Sequence, residues 1–181
     1  MAVIAVYNHD RITPPGKEDD RRPGPAELIE RIVQADSLIA PGGIRVRDTN
    51  AHLAVTPGCC CGLEGWREWD QVARGQSPWL GHDPMPWTEH QGAIVRVWPD
   101  GGDAAVPPTG ALPIELPVDD LIHLIADAHK QFRDFLDLLG PWALPLAGAS
   151  ATLLGPALAS HFHASWTASG DDYSAAGDRH S

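Results

Sequence analysis

Apolar and polar residues follow two periods along this chain, and each period predicts its own elements. The helical period is clearest in VDDLIHLIADAHKQFRDFLDLLG, Val118 to Gly140. Leu121, Leu124, Ile125, Ala128, Phe132, Phe135, Leu136 and Leu139 recur so as to share one face. His123, Asp127, Lys130, Asp134 and Asp137 take the other. Asp119 or Asp120 is placed to cap the start and Gly140 to end the helix. A second helix is expected after Pro25, with Leu28, Ile29, Ile32 and Val33 as its apolar stripe. A third is expected where Leu63, Trp66, Trp69, Val72 and Ala73 share a face opposite Glu64, Arg67, Glu68, Asp70 and Arg74.

The alternating period marks strands. AIVRVW, Ala93 to Trp98, sets Ala93, Val95 and Val97 against Ile94, Arg96 and Trp98. GIRVRD and HLAVTP flank Asp48, Thr49 and Asn50 and predict a hairpin. VIAVY near the start and LPIEL before the long helix read as further short strands. Strands and helices interleave without a repeat or a regular βαβ rhythm. The class expected is therefore α+β, a small mostly antiparallel sheet packed by several helices, with a helical C-terminal third. Residues 1–167 are expected to form a single domain with a mobile loop over about 8–24, and residues 168–181 a disordered tail.

Seventeen prolines and eighteen glycines cluster between the patterned segments, which predicts short elements joined by stiff loops. The net charge of −11 is uneven: residues 1–98 carry 13 acids and 10 bases, residues 99–181 carry 11 acids and 3 bases. So acidic a C-terminal half repels nucleic acid and anionic lipid and favours a basic protein partner. The first residues lack the basic start and apolar length of a secretory signal, so the expected compartment is the cytoplasm. Residues 138–160 carry no charge over a length that spans a bilayer. Pro141, Pro145 and Pro156 with three glycines instead predict buried, proline-broken helices and no membrane contact.

The chain's only cysteines, Cys59, Cys60 and Cys61, are adjacent, which suits no disulfide framework. A helix beginning near Gly58 would depress a thiol pKa and favour redox chemistry. A zinc or copper site would need Cys59 and Cys61 completed by histidines, His82 and His90 or His52. The favoured reading is plainer: small apolar filler at a tight turn in the core, with no cofactor. The pairs His123/Asp127 and His161/His163 fit no catalytic or metal signature, and the chain lacks G-x-S-x-G, a phosphate loop, a dinucleotide fingerprint and H-E-x-x-H.

The proline-stiffened loop Gly75 to Gly92 is the better binding candidate. Trp79, Met85 and Trp87 sit there beside Asp83 and Glu89, so aromatic anchors would dock with little entropy loss while acids steer a basic partner.

The sequence of hairpin, W-x-x-W helix, AIVRVW strand and long acidic helix ending in FRDFLDLLGPWA resembles the small immunity proteins that actinobacteria and other bacteria make against polymorphic toxins. The likeness covers roughly residues 44–143. It implies a non-catalytic inhibitor that blocks a toxin by binding. No functional residue is carried over from the resemblance; the residues themselves suggest that Asp119, Asp120, Asp127, Asp134 and Asp137 would meet a basic partner's lysines and arginines, with Trp79 and Trp87 as the desolvated anchors. The other reading is a metal- or thiol-dependent enzyme or sensor built on Cys59–Cys61 with His82 or His90.

Overall fold

A computed structural model of the chain describes residues 23–101, 106, 107 and 109–164. The expected strand at Val3–Tyr7, most of the early loop and the C-terminal tail lie outside these residues. The fold is α+β, with two small antiparallel sheets in place of the single sheet expected.

Helix α1, Pro25–Gln34, begins with proline in its first turn, where the missing N–H costs no hydrogen bond, and buries Ile29 and Ile32. Strands β1, Val46–Asp48, and β2, Leu53–Val55, form the expected hairpin. Its turn is closed by Asp48 Oδ1, which accepts from the backbone N–H groups of Asn50 and Ala51. A 3₁₀ turn, Leu63–Gly65, then leads into the short helix α2, Glu68–Ala73. Trp66, Trp69, Val72 and Ala73 are all buried, as their spacing requires.

The second sheet runs β3–β4–β5: Trp87–Gln91, Ile94–Trp98 and Ile114–Pro117. Val95 and Val97 are fully buried on its inner face. Strand β3 corrects the expectation of a loop through Gly92. Thr88 faces Val97 and His90 faces Val95 across the ladder, so two polar residues hold positions that alternation would give to apolar ones.

The long helix α3 spans Val118–Ala147, and α4, Ala151–His161, follows a single 3₁₀ turn. Three expectations fail here, the first being that prolines break the helices: α3 runs unbroken through Pro141 and Pro145. Gly140 does not end α3, and neither Asp119 nor Asp120 caps it: both lie inside the first turn, where their charge suits the helix dipole. An internal proline costs a helix about 3 kcal/mol, and α3 holds Pro141 and Pro145. Burial offsets that cost, at about 1.5–3 kcal/mol per large apolar side chain. Leu136, Leu139 and Ala143 bury against Leu154 and Leu158 of α4 and the buried residues of α1. The α3–α4 crossing is close, because a Cβ on Gly155 would sit 2.8 Å from the Leu136 carbonyl oxygen.

The buried residues form two clusters. One joins α1, α4 and the second half of α3; the other joins both sheets, α2, and Leu121 and Ile125 from the first half of α3. Trp66 links them: it belongs to the second cluster, yet its indole Nε1 donates to the Phe162 carbonyl at 2.7 Å. His129 stacks on Trp66 at 4.7 Å and hydrogen-bonds the Ala164 carbonyl at 3.0 Å.

Candidate functional site

Two surfaces carry the residues singled out from the sequence. The first lies where the cysteine turn crosses the turn at 80–84. Gly58 donates to the Leu80 carbonyl at 2.9 Å, and Cys59 and His82 exchange backbone hydrogen bonds in an isolated bridge. Two glycines make the crossing possible. A Cβ on Gly58 would stand 2.5 Å from the His82 nitrogen, and one on Gly81 would stand 2.7 Å from the Gly58 Cα. Cys60, next along, has a positive φ of 65°, which turns the chain outward.

As a result the cysteines are not core filler. Cys59 and Cys60 are exposed and Cys61 half-buried. The Cys59 and Cys60 sulfurs lie 3.6 Å apart, and ligand atoms of Cys59, Cys60 and His82 all fall within 4.8 Å of one another. This replaces the set expected from the sequence: Cys60 belongs to the group, while Cys61 and His90 do not. His90 lies on the inner face of β3, its Nε2 buried with no hydrogen-bond partner among the described residues. No helix begins near Gly58, so the helix dipole expected to act on the cysteines is missing. The shifts run the other way. The hydrogen bond to Cys59, then the charge of Cys59, raise the Cys60 thiol; burial, then Glu68, raise Cys61.

The acid–aromatic loop divides between this crossing and the sheet. Trp79 is 53% exposed and tilts over the His82 ring at 6.2 Å. Asp83 is exposed and its Oδ2 accepts from His82 Nδ1 at 3.1 Å. Trp87 instead stacks on Trp98 at 5.7 Å on the outer face of the sheet, its indole donating to the Asp100 carbonyl. Glu89 accepts from the Trp98 indole and lies 4.0 Å from Arg96, which also pairs with Glu115 at 2.7 Å. Met85 is tied by its backbone N–H to Asp100, whose carboxyl is held below its usual range by that bond and by the Gly101 N–H.

The second surface is a seam along α3. Leu124, Phe135, Leu138, Trp142 and Leu146 are each between 41% and 66% exposed. At about 100° per residue they fall within one arc of roughly 80°, beside the buried stripe and distinct from it. From Leu124 to Leu146 the seam spans about 33 Å at 1.5 Å per residue, and it is densest from Phe135 onward, because exposed Gln131 lies in the same arc after Leu124. Asp120, Asp127 and Asp134, spaced by sevens, follow its outer edge. Asp134 is also paired with Lys130 at 2.6 Å. Asp119 and Asp137 lie on a different face of the helix and do not join the edge. By length and composition Val118–His161 is apolar enough to cross a membrane.

Comparison with protein-family models, characterised proteins and solved structures found no match.

Sequence reasoning missed the seam because it assigned Leu124 and Phe135 to the core. The eight apolar positions span about 120°, an ordinary width for one buried stripe, so the pattern alone gives no sign of the seam. Trp142 and Leu146 continue the pattern past Gly140, where the helix was expected to stop.

Proposed function

We propose that this chain is a non-catalytic cytoplasmic binding protein that sequesters a basic protein partner along the exposed seam of α3. One observation carries the reading: an exposed stripe of large apolar residues, edged by regularly spaced aspartates, on a helix that already buries a separate stripe. Contiguous exposed apolar surface with a charged rim is the usual mark of a docking face. Trp142 and Phe135 supply broad anchors to desolvate, and Asp120 and Asp127 supply opposite charge to lysines and arginines. The partner best suited is a basic protein presenting an amphipathic helix, whose apolar ridge lies along the seam while its basic flank meets the aspartates. Immunity against a toxin, suggested by the resemblance to bacterial immunity proteins, is the biological setting that accords with this role.

The proposed partner surface therefore moves from Trp87 toward Trp142. Trp87 is engaged with Trp98 and Asp100, so its loss would disturb the sheet before it disturbed a partner.

The test is affinity capture by the tagged, reduced full chain at low salt, with salt then stepped upward, repeated with Leu138→Glu/Trp142→Glu. The expected result is one stoichiometric basic protein, released as salt rises and absent from the double variant. Equal capture by the double variant, or sedimentation of the chain with neutral lipid vesicles in place of a protein partner, would overturn the proposal.

A further inference from the structure

The crossing of the two turns assembles donors that neither turn supplies alone. Cys59 and Cys60 come from one, His82 from the other, and their ligand atoms gather within 4.8 Å. All three reach solvent, so an ion can enter without unfolding anything. The sulfurs are spaced for chelation. Two thiolates 3.6 Å apart, each about 2.3 Å from a shared ion, subtend an S–M–S angle of roughly 103°. That angle lies near tetrahedral and within reach of trigonal. The histidine is prepared as a ligand as well. Asp83 Oδ2 accepts a hydrogen bond from His82 Nδ1–H at 3.1 Å, the tautomer that keeps the ring's lone pair on Nε2. A carboxylate hydrogen-bonded to the imidazole is the usual outer support of a metal-bound histidine.

We infer that Cys59, Cys60 and His82 form a binding site for one thiophilic d10 cation, with Cu(I) the preferred ion. Two soft thiolates and one imidazole favour Cu(I) over the hard divalent ions, and three donors complete a trigonal shell. Zn(II) would need a fourth ligand, which here falls to water. Binding one Cu(I) forms two Cu–S bonds and one Cu–N bond and releases the two thiol protons to solvent. Neither sulfur nor metal changes oxidation state. The adjacent Cys61 is the natural control: it shares the sequence run and lies outside the group. Gly58 and Gly81 act as positioning residues, since their close approach sets the cysteine turn beside His82.

The experiment is an anaerobic titration of the reduced full chain with Cu(I) against a chromogenic Cu(I) chelator, read by chelator absorbance and by the thiolate-to-copper band in the ultraviolet. One equivalent is expected to bind. Cys59→Ser, Cys60→Ser and His82→Gln each lower the affinity while the far-ultraviolet dichroism stays unchanged. Asp83→Asn lowers it by about 10–100-fold, the cost of losing an outer support, and Cys61→Ser leaves it unchanged. Trp79, against His82, reports binding by quenching that disappears in Trp79→Phe. A loss in Cys61→Ser equal to that in Cys60→Ser, or wild-type affinity no better than that of the Cys59→Ser/Cys60→Ser double variant, would overturn the site. Displacement of Cu(I) by equimolar Zn(II) would overturn the choice of ion.

Discussion

Gly58 shows how much one missing Cβ decides here. Any side chain at this position would strike the backbone of the turn at 81–84, which cannot swing aside as a flexible side chain can. Gly58→Ala is expected to lower stability by about 1–3 kcal/mol, the usual cost of overpacking. It should also weaken Cu(I) binding, because the two turns must separate. Denaturant unfolding and the Cu(I) titration check the two effects; an unchanged midpoint would contradict the close packing. Glu68 gives a pH-dependent case. Burial raises its carboxyl above the usual range, so the folded state holds the proton more readily than the unfolded chain does. The stability this contributes is complete below the unfolded pKa and is lost as pH rises through the folded one. Glu68→Gln should therefore melt higher than wild type at pH 7, with the gap closing below about pH 4. A gap that widened on acidification would contradict this. These single-residue effects were barely legible in the sequence. Three adjacent cysteines announced a special site, but composition favoured burying them. Only the Gly58–Gly81 crossing, a contact between distant turns, turns Cys59 and Cys60 outward and pairs them with His82.

Elements were read best where periodicity is long and worst where two patterns overlap. The hairpin of β1 and β2, strand β4 and helix α1 follow directly from alternation, turn residues and proline placement. Strand β3 did not, because Thr88 and His90 occupy its inner face and its first residue follows the proline-rich run. Helix α3 was found but cut short. Gly140 and Pro141 are the proper stop signals for a helix in water, and burial of Ala143 and its neighbours against α1 and α4 overrides them. Replacing Pro141 with Ala restores a backbone donor and removes the clash with the preceding turn. The expected outcome is a higher Tm, from a gain of up to about 3 kcal/mol; a lower Tm would show that Pro141 contributes packing. The linkage between the two clusters is equally specific. Trp66→Phe keeps a ring against His129 but removes the donor to Phe162, at an expected cost of about 1–3 kcal/mol, because the buried carbonyl loses its partner. Chemical denaturation followed at both clusters checks this, and a loss below about 0.5 kcal/mol would reassign the joint to stacking alone.

Across the whole chain, charge and apolar surface are unevenly distributed. The acidic C-terminal half carries the seam, and the same helix supplies both clusters with buried side chains. Composition suggests the charge of the proposed partner, whereas it does not suggest the proposed docking face, because exposure of Leu138 and Trp142 depends on how far α3 continues and where α4 packs. Long-range attraction of this kind acts mainly on the rate of association. Raising ionic strength from about 0.05 to 0.2 M should slow association with the basic partner while changing dissociation little. Asp120→Asn/Asp127→Asn should flatten that dependence, at a stability cost of about 0.3–1 kcal/mol because Asp120 sits in the first turn of α3. Hydroxyl-radical footprinting of the captured complex measures where the proposed partner sits. Protection of Phe135, Leu138 and Trp142, with Trp87 and Trp98 unchanged, is the predicted result. Protection of the outer sheet face around Trp87 and Trp98, with the α3 seam still reactive, would contradict it.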